Sequence, residues 1–262
     1  MQHLTGVGAM PLAGHDADSA HTIAGIVQAL AALDETQIAR AIHVSVEQRL
    51  AHTPTIVVLD NLSRLDQYDT LRQEPGPHML PRYYRELLWN PAALPLSRWP
   101  DGATVRAHVR SVVRGLHEAG GTLHVGSDTL NPFVVPGASL HTELHDFVES
   151  GFTPEEAWAA ATRENGAALP TPGLGTVAEG APADLLVFRD DPTRALTALA
   201  TLEAVVADGR YYSKDALDAA FRRYRDHFDG FIAARVSMLL FRMFGRPMIS
   251  ARSSHEARSD PR

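Results

Sequence analysis

Cysteine is absent from the 262 residues, which excludes disulfides and thiolate metal sites but leaves the compartment undecided. Lysine is almost as scarce: Lys214 is the only one, so the remaining basic residues are arginines. The opening Met1-Gln2-His3-Leu4 has no basic stretch running into a long apolar one. No signal peptide is read there, and a cytoplasmic location is the default expectation. No serine sits in a nucleophile elbow, no glycine loop suits a phosphate, and no internal repeat is visible. A basic surface is missing too: the formal charge of −7 argues against nucleic acid as a partner. The one long apolar stretch, Phe228 to Phe244, is broken by Asp229, Arg235 and Arg242. It therefore fails as a transmembrane helix and reads as a helix packed on its own body or docking elsewhere.

Apolar residues make up 45% of the chain, enough for a packed core in one large domain or one and a half smaller ones. Asp34 reads as a helix N-cap with Gln37 as its capping-box partner, and Ile38, Ile42, Val46 and Leu50 follow at helical spacing. Thr55-Ile56-Val57-Val58-Leu59 is a β-branched run of strand length, with Pro54 at its start. Residues 60 to 100 are long and Pro-rich, in the manner of a lid or binding loop with short helices. A helix resumes at Thr104, carries Val105, Val109, Val112, Val113 and Leu116 on one face, and ends at Gly120-Gly121. A strand, Leu123 to Thr129, comes next. The alternation of helix and strand favours parallel strands with helical crossovers.

A second helix carries Leu144, Phe147 and Val148 and stops at Gly151. A third begins at Thr153 with Pro154 and a capping glutamate, Glu156, and runs to about Asn165. From Gly173 the pattern changes. Leu174 to Val177, Asp184 to Phe188 and Ala204 to Ala207 read as short strands, and Asp208-Gly209 as a hairpin turn into Arg210-Tyr211-Tyr212. A long helix starts near Asp215, and residues 250 to 262 are polar, as a disordered tail would be.

Asp128 is the most informative single residue. A carboxylate just after Gly126-Ser127, where a strand opens into a loop, stands where α/β proteins place ligands and catalysis. The competing reading is a turn or capping carboxylate, and spacing alone does not decide between them. His141 and His145 lie four apart on one helix, a zinc-compatible spacing, but the glutamate that metalloprotease helices carry between such histidines is missing from its place. His145 reads as a surface residue. His141, at the start of its helix, is better placed to face the same mouth as Asp128. His124 reads as structural, and His3 alone carries no meaning.

Taken in order, these segments resemble the carboxyl-terminal part of the amidohydrolase superfamily, in its imidazolonepropionase-like and prolidase-like branch. The resemblance rests on Gly126-Ser127-Asp128-Thr129, on Pro136-Gly137-Ala138-Ser139-Leu140-His141-Thr142-Glu143-Leu144, and on Gly151-Phe152-Thr153-Pro154-Glu155-Glu156-Ala157. It continues through Ala160-Ala161-Thr162-Arg163-Glu164-Asn165, Gly173-Leu174-Gly175-Thr176-Val177, Ala183-Asp184-Leu185-Leu186-Val187 and Val205-Val206-Ala207-Asp208-Gly209-Arg210. It is firm over roughly 120 to 213, weaker before that, and does not cover the tail.

The resemblance implies an α/β fold: part of a (β/α)8 barrel, about its last three strands, with a small appended β-sandwich element and a carboxyl-terminal helix. The expected division is a barrel part over 1–170, the β element over 171–213, the helix over 214–249 and the tail over 250–262. It implies hydrolysis of a non-peptide C–N bond with a divalent metal, zinc first. Asp128 would end the eighth strand as metal ligand and base, His3 would be the ligand ending the sixth, and His141 would contact substrate. Thr53-Pro54-Thr55 would enter the seventh strand. The family's His-x-His pair on the first strand, lysine on the fourth and histidine on the fifth have no counterpart among these residues, so a truncated product is expected. A small-molecule substrate is the expected partner, with a homo-oligomer or a complementing chain possible. The rival expectation is a non-catalytic remnant that docks through exposed barrel edges and the carboxyl-terminal helix.

Overall fold

The computed structural model describes Leu4 and residues 28–90, 102–129, 131–230, 235–236 and 239–240. Helix α1 (Glu35–Glu47) starts at the expected capping box: Asp34 accepts from the Gln37 amide at 2.8 Å and Gln37 accepts from the Asp34 amide at 3.0 Å. Strand β1 (Ala51–His52) leads to helix α2 (Ile56–Ser63), and helix α3 (Gly102–Glu118) leads to strand β2 (Thr122–Leu123). The two strands pair in parallel, Ala51 with Thr122 and His52 with Leu123, as a helical crossover connection between them allows. Helix α4 (Ala138–Glu149) and helix α5 (Pro154–Ala159) follow. The latter continues through a π-helical turn, Ala160–Glu164, to Ala167.

Three strands form a separate antiparallel sheet in the order β3 (Leu185–Phe188), β4 (Leu202–Ala207), β5 (Arg210–Ser213). Asp208 and Gly209, both at positive φ, make the hairpin turn between β4 and β5. Helix α6 (Lys214–Asp229) follows, capped by Ser213 and packed against β4 and β5. Among the described residues no helix is long and apolar enough to cross a membrane.

Three expectations need correction. The run Thr55 to Leu59 is not a strand. It opens helix α2, because its apolar residues are shared between two cores. Ile56 and Leu59 enter the larger core with Val109, Val112, Leu116, Leu123 and Phe147. Val57, Val58 and Leu62 enter a second core with Leu71, Trp89, Phe133 and Val134. A helix buried on both sides is apolar all round, and periodicity cannot separate it from a buried strand. The strand expected from Leu123 to Thr129 is shorter: β2 ends at Leu123, the His124 amide makes a last bond to the His52 carbonyl at 2.8 Å, and 125–128 are not part of a strand. Leu174 to Val177 form turns rather than a strand, with Gly173 and Gly175 both at positive φ. Among the described residues, the strand that the resemblance enters at Thr53-Pro54-Thr55 is replaced by helix α2, with the two-residue β1 just before it, and the stretch expected to end at Asp128 holds the short β2. The strand placed at His3 lies outside the described residues, as do 231–234, 237–238 and 241–249 of the expected carboxyl-terminal helix and the expected tail.

Helix α2 begins without a side-chain cap of its own, since Thr55 sits at φ 51 and offers none. The cap comes from α4. Glu143 is fully buried and accepts from the amides of Ile56 at 2.9 Å and Val57 at 2.8 Å. A carboxylate there also meets the positive end of the helix dipole. Burial nevertheless pushes the Glu143 carboxyl up from 4.5 to about 8, with the backbone hydrogen bonds pulling the other way.

Between those two values the folded protein retains a proton that the unfolded chain has released. The group's contribution to stability is therefore full below pH 4.5 and is lost as pH rises through about 8. Urea denaturation at pH 5 and pH 8 should show wild-type stability falling over that interval, with Glu143→Gln abolishing this part of the slope. Glu143→Ala strands two buried amides and should cost roughly 2–6 kcal/mol at either pH, at about 1–3 per amide.

Candidate active site

The chain from β2 into α4 is built to hold one exposed carboxylate. Gly126 is required by close approach: a Cβ there would stand 2.7 Å from Thr53 Cγ2, on the chain leaving β1. Asp128 follows at φ 47, a left-handed conformation that aspartate tolerates better than most residues. Its carboxylate accepts from Asn131 Nδ2 at 2.6 Å, and its carbonyl accepts from the same nitrogen at 3.1 Å. Two residues on, Phe133 at φ 61 turns into the second core, with its ring 5.1 Å from Trp89 and 5.9 Å from Tyr68. Ser139 Oγ, at the start of α4, accepts from the Val135 amide at 2.8 Å and ends the loop. Asp128 is thus exposed to solvent on a loop pinned at both ends.

Of the candidate residues, Asp128 and His141 are described. His141 lies exposed on the first turn of α4, and no hydrogen bond or ion pair joins it to Asp128. Desolvation, then His145 four residues on, lower its pKa from the ordinary value. His145 is exposed, as expected. His3 lies outside the described residues. Among the described residues no three histidine, aspartate or glutamate side chains converge as metal ligands. A catalytic zinc takes three protein groups, and of the two metal ligands expected here the described residues include Asp128 alone.

Two buried polar residues, Glu143 and His52, and the half-buried Asn165 near this region escaped the sequence reading. Glu143 could have been found: it falls on the apolar stripe of Leu140, Leu144 and Phe147, where a carboxylate needs a partner. Asn165 bridges the exit from β2, accepting from or donating to His124 Nδ1 at 3.1 Å and donating to the Val125 carbonyl at 2.7 Å. That network gives His124 the structural role expected of it. His52 is fully buried on β1 with neither ring nitrogen hydrogen-bonded, and burial pushes its imidazole down to about 4. Nothing in its neighbours along the sequence marks it.

The described residues thus form an α/β body with a parallel strand pair, a loop carboxylate after the second strand and a small antiparallel sheet. The amidohydrolase family matches residues 10–211, and the chain belongs to that family. Among solved structures it is similar to a bottromycin amidohydrolase, at 23% identity and TM-score 0.60, covering 86% of this chain and 47% of that one. A Xaa-Pro dipeptidase with methionine bound in its active site matches at 20% identity and TM-score 0.47, over 72% of this chain and 41% of that one. An ochratoxinase from A. niger matches at 19% identity and TM-score 0.45, over 72% and 38%. The chain spans less than half the length of these structures. No curated protein matches it.

Two measurements follow. Phe133→Ala removes the ring that ties the Asp128 loop to the second core and should cost about 3–5 kcal/mol. Hydrogen exchange should quicken at amides 128–135 more than at those of α3. For His52, the folded ring stays neutral down to about pH 4 while the unfolded one protonates near 6.5, so stability falls as pH drops between those values. His52→Leu should flatten that acid limb in thermal melts at pH 4.5 and pH 7.

Proposed function

We propose that this chain forms the carboxyl-terminal side of an amidohydrolase active site that cleaves an amide or cyclic-amide C–N bond of a small molecule. Family membership across residues 10–211, with Asp128 exposed on a braced loop just past a parallel strand, is the observation that carries the reading. In it, residues 1–170 are the barrel part with β1 and β2 as its last two strands, 171–213 the β element, and 214–249 the carboxyl-terminal helix. Asp128 takes a proton from the attacking water as the C–O bond forms. It returns that proton to the leaving nitrogen as the C–N bond breaks, giving a carboxylic acid and an amine. His141, at the start of α4, contacts the substrate. A divalent metal, zinc first, is the cofactor this reading implies; it would draw on Asp128 and His3 and on donors besides these.

A second reading treats the chain as an assembly partner. Neither β3 nor β5 has a further strand beside it among the described residues, and Val177 is 89% and Tyr211 68% exposed nearby.

The purified chain, supplied with zinc or manganese, should be assayed on N-acyl amino acids, cyclic amides and dipeptides. Turnover that falls at least about 100-fold in Asp128→Asn, with the melting temperature kept, is the expected result. Turnover unchanged in that variant overturns the assignment of Asp128. No turnover by the wild type on any of them, together with a defined higher oligomer in light scattering, favours the assembly reading.

A further inference from the structure

The segment between α2 and α3 makes more than a cover for the second core. With the end of α6 it borders a half-open cleft of about 300 Å³, lined by Arg72, Gln73, His78, Arg82, Arg85, Glu86 and Asp229. That volume is at the small end for ligand sites and suits an amino-acid-sized molecule better than a nucleotide. Three guanidinium groups there face two carboxylates. Arg72 is committed, to Asp69 at 2.9 Å and Glu86 at 3.5 Å, and Arg82 reaches the same Glu86 at 3.7 Å. Arg85 is the surplus cation: it has no carboxylate at ion-pairing distance among the described residues.

Arg85 is also held in place. It lies in a π-helical turn, Tyr84–Leu88, a local geometry frequent at functional sites. Tyr68 donates its hydroxyl to the Arg85 carbonyl at 2.5 Å, and Arg85 Nη1 donates to the carbonyls of Leu80 at 3.1 Å and Pro77 at 3.4 Å. Those bonds occupy one end of the guanidinium and fix its plane. Partial burial lowers its pKa, with Asp229 opposing, so the charge is incompletely solvated. Asp229 enters the same cavity from α6, its own partner Arg225 standing 4.0 Å away. A simple anion would satisfy Arg85 but would meet Asp229 and Glu86. A molecule with a carboxylate at one end and an ammonium at the other answers both.

We propose that this cavity binds a free amino acid as its zwitterion, with the carboxylate on Arg85 and the ammonium on Asp229. The inference does not rest on the hydrolytic reading and is tested by binding alone. Calorimetric titration of the full chain should compare L-alanine with N-acetyl-L-alanine, L-alaninamide and inorganic phosphate. L-alanine should bind saturably, and each singly charged analogue about tenfold or more weaker, since each forfeits a charge-assisted contact. Arg85→Gln should abolish L-alanine binding. Because Arg85 also braces its own turn, Asp229→Asn at the exposed helix end supplies the second variant: it should bring L-alanine down to the level of the N-acetyl form. Phosphate binding as tightly as L-alanine, affinity unchanged in both variants, or no saturable binding to the wild type would each overturn the proposal.

Discussion

One buried carboxylate holds the two halves of this structure in register. Glu143 on α4 closes the amino terminus of α2, 86 and 87 residues earlier in the chain, through the amides of Val57 and Ile56. Helix α2 in turn is the shared wall of both cores, giving Ile56 and Leu59 to one and Val57, Val58 and Leu62 to the other. An eight-residue helix is too short to be stable by itself. Its position therefore depends on that cap and on burial from two sides. The cost is a charge or a proton kept out of water, which is why the Glu143 carboxyl titrates so far above its ordinary range.

The same arrangement determines where Asp128 stands. The loop it begins is anchored at Phe133, between Tyr68 and Trp89, and those two rings belong to the segment that α2 leads into. Asp128 is thus placed from the second core as much as from β2. Asn131 then orients the carboxylate locally. Rigid support beneath an exposed acid is the arrangement a catalytic or ligating group needs, since looseness of about 1 Å in such a group is costly. A mere surface turn needs no such support.

Much of this was legible from local sequence. The capping boxes at Asp34 and Thr153, the Asp208-Gly209 turn and the face of α3 all declared themselves, because each is a short-range pattern with a short-range cause. The β-branched run at Thr55 misled because the cause there is tertiary. Valine and isoleucine lean towards strand, yet two apolar neighbours and a distant glutamate made a helix the better solution. The order of motifs from Gly126 to Arg210 gave the family, and it located Asp128 without showing its environment. Asn131 and Phe133 were invisible as supports, since their partners are a backbone twist and an aromatic cluster assembled from residues 68 and 89.

The buried histidine on β1 sharpens the contrast between structural and functional polar groups here. His52 and Glu143 are both excluded from solvent, yet Glu143 has two backbone donors and His52 has no hydrogen bond to either nitrogen. Burial drives the two in opposite directions, and both shifts favour the neutral side chain. Neither is suited to exchanging protons with a substrate, because no solvent path reaches a fully buried atom without local opening. Asp128 is the reverse case, a carboxylate left in water on a braced loop. What sets Asp128 apart from Glu143 is that it stands exposed on a braced loop rather than sealed in the core. Asp128 therefore depends on its surroundings for position, through Asn131 beside it and Phe133 in the second core.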